Sequence, residues 1–264
     1  MEPPGVQDVS LDAGEQVIRV NADTGSRRAL VPHRQSQTSG TSSGGMETLP
    51  TGISVLDREF GGGLPSGSVV VLKADPASQS ELIVDRFSRP RECRYLTTVR
   101  SAEAVESGLT LDGGTESGET NGGEGESRVE ATVVEETDRE APVDDVLAAA
   151  ADLSERATLV VDSVEPLEAV DRSRYGSFLT DLRQHVVDAG GIAVLHGFKG
   201  DTGRNRVVTE QVSDVVFDLR TSVTGTEIVN RLIVPKFRGG AALEEPLKLK
   251  LTDSVSVDTS RDIA

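Results

Sequence analysis

Apolar and polar positions divide this chain into stretches that bury themselves and stretches that cannot. Ser68-Val-Val-Val-Leu-Lys73 is an unbroken β-branched run, the pattern of a strand covered on both faces. Arg94–Val99, Thr158–Ser163 and Ile192–His196 have the same character, and Val129–Glu135 alternates. Helices are predicted over Glu81–Phe87, Ala102–Ser107, Val143–Arg156 and Tyr175–Ala189, the last stopped by Gly190-Gly191. A short amphipathic helix is predicted over Leu49–Phe60, before the turn chemistry of Gly61–Gly67. Gln211–Leu219, Ile228–Pro235, Leu247–Leu251 and Val255–Val257 are predicted strands. Strands alternating with helices imply right-handed crossovers, hence an α/β fold with a mainly parallel twisted sheet and antiparallel strands added at the C-terminal end.

Two stretches have no face to bury. Residues 1–45 are polar and are predicted to be a disordered tail, with one short strand at Glu15–Val20. Residues 108–128, almost purely Gly, Glu, Ser, Thr, Asn and Asp, are predicted to be a flexible acidic insertion. That leaves one domain over 46–258 and a C-terminal tail over 259–264.

Charge narrows the setting. The 264 residues carry a formal charge of −17, and the 27 basic residues are 5 Lys and 22 Arg. An Asp/Glu excess with so little Lys suits a halophilic protein whose self-repulsion is screened by salt. It argues against nucleic-acid binding outside local basic patches. A lone Cys93 without ligand companions fits a reducing cytoplasm, and no apolar run suggests a leader or a membrane span. His185 and His196 are not spaced as metal ligands, so no metal site is expected.

Three separated segments carry a family resemblance. Thr51-Gly-Ile-Ser-Val-Leu-Asp57, continuing through Phe60-Gly-Gly-Gly-Leu-Pro-Ser-Gly into the first core strand, resembles the opening of KaiC/RadA-like domains of the RecA superfamily. Leu159-Val-Val-Asp-Ser163 resembles the Walker B strand, and Arg231-Leu-Ile-Val-Pro-Lys-Phe-Arg-Gly239 the late strand ending in K.RG. The resemblance implies a RecA-like three-layer domain, and with it a phosphate loop, G-x-P-G-[ST]-G-K-[ST]. Here that loop is Ala74, Asp75, Pro76, Ala77, Ser78, Gln79, Ser80, Glu81. The glycines that let amides curl around phosphate are gone, Ser80 stands for the Lys, and Glu81 replaces the Mg²⁺-binding hydroxyl. Where relatives end the next strand in a glutamate pair, this chain has Val99 and Arg100, neither a general base. Asp162 and Ser163 persist, and Asp162 is either a metal-side carboxylate or an ordinary strand-end one.

The expected state is therefore a vestigial nucleotide site, without bound ATP or Mg²⁺. Lys236 and Arg238 match residues that, in ring- or filament-forming relatives, reach a neighbour's γ-phosphate. They are either such a pair, serving an ATPase-competent paralogue, or a basic edge strand. Lys199, Arg204 and Arg206 make 197–207 the candidate DNA-contacting loop, with a solvated loop as its rival. Three functions follow. The first is a non-hydrolysing regulatory or signalling subunit working through protein partners. The second is a RadA-paralogue-type accessory protein of recombination or repair, and the third an ATP-binding protein with an aberrant loop.

Overall fold

The computed structural model describes residues 47–111, 132–138, 140–200, 203–240, 242–252 and 254–258. The expected tails and most of the expected insertion lie outside these residues. The chain opens with β1 (Thr48–Leu49), α1 (Ser54–Glu59) and β2 (Leu64–Pro65), and β1 pairs antiparallel with β2. The main body follows as β3 (Ser68–Ala74), α2 (Glu81–Ser88), β4 (Cys93–Thr97), α3 (Ala102–Leu111), β5 (Thr132–Glu136), α4 (Pro142–Ala151) and β6 (Thr158–Asp162). Then come α5 (Glu165–Glu168), α6 (Arg172–Ala189), β7 (Ile192–Phe198), α7 (Arg206–Val212), β8 (Val215–Thr224), β9 (Glu227–Phe237), β10 (Leu247–Leu251) and β11 (Val255–Val257).

Nine strands form one sheet in the order β11-β10-β9-β8-β3-β7-β6-β4-β5. The six from β8 to β5 are parallel, while β9, β10 and β11 are added antiparallel, so the α/β class with antiparallel C-terminal strands holds. Period-2 alternation sends Val70 and Leu72 to one face and Val69 and Val71 to the other. The first face buries Leu56 of α1, Ile83 and Phe87 of α2 and Val105 of α3. The second buries Val146 of α4, Leu167 of α5 and Phe178 and Leu182 of α6. Helices on both faces of a buried sheet make three layers.

Local chemistry sets several boundaries. Asp171 caps α6 by accepting from the amides of Ser173 and Arg174, and Gly190, left-handed at φ 60°, ends it. The predicted strand from Gln211 is a correction, because Gln211 and Val212 finish α7 and the strand starts at Val215. The strand predicted to reach Val99 stops at Thr97, where the Thr97 hydroxyl donates to the Arg100 carbonyl and turns the chain. The helix predicted to reach Arg156 stops at Ala151. Among the described residues no helix is long and apolar enough to cross a membrane.

Candidate functional site

Ligands of open parallel sheets sit at the C-terminal ends of the strands, where the strand order reverses. In this sheet that point lies between β3, whose chain moves on to β4, and β7, whose chain moves back to β8. The loop after β3 runs from Asp75 to Ser80 and is tied down by protein groups. The Ser78 amide and hydroxyl both donate to the Asp75 carbonyl, at 2.9 and 2.6 Å. The Asp75 carboxylate accepts from the Thr221 amide at 3.1 Å, and the Lys199 amide donates to the Ala74 carbonyl. Arg156 is the one described non-glycine residue with positive φ, so the loop lacks the left-handed residue an anion-cradling turn of amides uses. Pro76, Ala77 and Gln79 are exposed, while Glu81 opens α2.

Strand alternation brings three polar side chains beneath this loop. Tyr95 of β4, Asp162 of β6 and His196 of β7 all project to the α2 face, and the register pairs Asp162 with His196. His196 Nδ1–H donates to Asp162 Oδ1 at 2.7 Å, and its Nε2 shares a hydrogen bond with the Ser80 hydroxyl at 3.0 Å. Tyr95 Oη–H donates to Asp162 Oδ2 at 2.7 Å. Arg100, just past the turn after β4, donates to the same oxygen at 2.5 Å and to Tyr95 Oη at 2.9 Å. Ser80, His196, Asp162 and Tyr95 are buried, and only Arg100 reaches solvent.

The electrostatics follow from these contacts. Burial opposes the Asp162 charge, but the His196 hydrogen bond and charge, then Arg100 and Tyr95, outweigh it and hold the carboxyl well below the usual carboxylate range. Burial first, and then the Asp162 charge, push the Tyr95 phenol far above its ordinary value. Ser163 follows through a cis peptide bond, and its amide donates to the Thr98 hydroxyl at 2.9 Å. Spacing along the chain, which says of His196 only that it is not a metal ligand, does not show this arrangement. Two neighbouring parallel strands ending in Asp and His at the same level were the available signal.

The other expected groups sit elsewhere. Lys236 and Arg238 lie at the opposite end of the sheet, beside the start of β8. Lys236 donates to the carbonyls of Glu210 and Gln211 at 2.8 Å, and Arg238 to those of Gln211 and Val212, at the C-terminal end of α7. Burial, followed by the Arg238 charge, lowers the Lys236 pKa. Arg206 corrects the DNA-loop expectation. It opens α7, is 5% exposed, and is bound by Glu168 at 2.8 Å and Glu165 at 2.8 Å. Its guanidinium lies 2.6 Å from where a Cβ on Gly197 would stand, so a side chain there would displace Arg206 from its carboxylates. Lys199 is held by Asp218 at 2.5 Å, whereas Arg204 is exposed. Among the described residues no three His, Cys, Asp or Glu side chains gather as a metal ion would need.

Comparison with known proteins agrees with the fold. A KaiC-like protein, PH0186, from the hyperthermophilic archaeon Pyrococcus horikoshii OT3 superposes with a TM-score of 0.62 over 81% of this chain and 99% of that one. At 12% identity this likeness shows a KaiC-like RecA fold and nothing finer. No curated protein matches the chain. A family model described as a family of unknown function, DUF7125, matches residues 48–264, from β1 through the last strand and beyond. The chain therefore belongs to the DUF7125 family.

Proposed function

We propose that this chain is a RecA-fold subunit that works without nucleotide, as a regulatory or signalling component acting through protein partners. One observation carries the reading. Both oxygens of Asp162, the carboxylate that faces metal in the resembled ATPases, accept from this chain's own Tyr95, Arg100 and His196. Ser80, at the position of the phosphate-binding Lys, completes that set through His196. With Ala74, Ala77 and Gln79 in place of glycines and Glu81 in place of a hydroxyl, these residues do not fit a Mg²⁺–triphosphate. Arg100 supplies the positive charge that a metal ion supplies elsewhere, and it cannot be exchanged with solvent.

Equilibrium dialysis against Mg-ATP in molar KCl tests this. Expected is binding weaker than about 1 mM, unchanged in Asp162→Ala. Sub-millimolar binding that disappears in Asp162→Ala would overturn the reading. The trans-acting role of Lys236 and Arg238 draws no support from contacts that already close α7. The recombination reading loses the buried Arg206.

A further inference from the structure

Beside the Asp162 cluster, on the same C-terminal rim, a groove of about 370 Å³ is lined by Thr98, Val99, Thr137, Pro142 and Pro166. Among the described residues its walls are two prolines, one valine and two threonines, with no charged side chain. Val99 is 66% exposed, although hydrogen bonds hold the residues on either side of it. The Thr98 amide donates to the Asp162 carbonyl at 2.8 Å, and the Thr98 hydroxyl donates to the Ser163 carbonyl at 2.8 Å. On the other side Arg100 is anchored by Asp162 and by the Thr97 hydroxyl. An aliphatic side chain held rigidly in water loses no conformational freedom when something covers it, the condition of a preorganised contact.

The surroundings state what the cover must be. Six of the eleven residues from 135 to 145 are acidic, and of these Glu135 and Asp144 are paired with Arg94 and Arg174. Glu136 and Asp138 flank the lining Thr137, Glu140 lies two residues before Pro142, and all three are exposed. The cation next to Val99, Arg100, is turned inward to Asp162. An apolar floor with an acidic rim complements aliphatic side chains flanked by Lys or Arg.

We infer that this groove is a docking site for a partner protein's aliphatic, Lys/Arg-flanked segment, with Val99 as the central contact. The inference rests on the proposed function in taking a protein as the partner. It also adds a consequence of the altered sequence. Where the resembled ATPases place two carboxylates, Val99 forms a contact surface and Arg100 fixes its position.

The test uses the whole chain in molar KCl and fluorescence polarisation of a short labelled peptide of alternating leucine and lysine. Its controls are a leucine–glutamate twin and a serine–lysine twin. The leucine–lysine peptide is expected to bind at least about ten-fold more tightly than the serine–lysine twin, and about two- to three-fold more tightly than the leucine–glutamate twin, because molar KCl screens the exposed rim. Val99→Ser should weaken it about ten-fold, while Val223→Ser, at another exposed valine far along the β8–β9 hairpin, should leave it unchanged. Equal binding of the serine–lysine twin, no effect of Val99→Ser, or an equal loss in Val223→Ser each overturns the inference. Tight Mg-ATP binding with an intact Val99 effect would instead remove the nucleotide-free reading and spare the groove.

Discussion

Two buried aspartates sit at opposite ends of the parallel sheet, and they are held in different ways. Asp214, just before β8, uses one carboxylate oxygen to accept from the Val69 amide at 3.0 Å and from Arg183 at 2.7 Å. Its own amide donates to the Val69 carbonyl, and its carbonyl accepts from the Arg238 amide. Its carboxylate ties the start of β3 to Arg183 of α6, so removing the side chain leaves the Val69 amide without that partner. The Asp162 carboxylate receives only side chains, from β4, β7 and the turn after β4. A carboxylate held by backbone is architecture. One held only by side chains can have its chemistry changed by substitution while the strands stay put.

That contrast makes graded predictions. Asp214→Ala should cost the most, about 3 kcal/mol in urea unfolding, because the Val69 amide is left buried without a partner and Arg183 loses its carboxylate. Asp162→Asn should cost about 2 kcal/mol, since an amide cannot satisfy three donors. The sign of its pH effect is fixed. A carboxyl held below its unfolded value contributes stability above about pH 4 and loses it as pH falls further. Unfolding midpoints measured from neutral to acid pH should therefore fall less steeply below about pH 4 in Asp162→Asn than in the parent. Arg100→Ala should cost least, about 1 kcal/mol or less, because its side chain is 40% exposed and Asp162 keeps two donors. A larger loss in Arg100→Ala than in Asp214→Ala would break the comparison.

The core was legible where burial wrote continuous patterns. Leu247–Leu251 and Val255–Val257 are strands as predicted, and Ser68–Lys73 and Tyr175–Ala189 are observed with short extensions. What the pattern could not show was pairing between distant positions. Arg206 looked like a solvated loop cation because its partners, Glu165 and Glu168, lie about forty residues earlier on a one-turn helix that polar residues disguise. Likewise Arg100 was read as a missing base, while its use, cancelling the Asp162 charge, appears only once β4 lies beside β6. The altered loop was visible residue by residue, but the relay beneath it depended on sheet register.

The Ser80–His196–Asp162–Arg100 relay bears on what sets the stability of this fold. A domain that binds nucleotide gains about 2.7 kcal/mol when the nucleotide stands at a hundred times its dissociation constant, and loses that gain as the supply falls. On the proposed reading this chain carries the equivalent ties in its own covalent structure, so its folded fraction does not track the cell's energy charge. It would present the same surface to its partners in starved and fed cells alike.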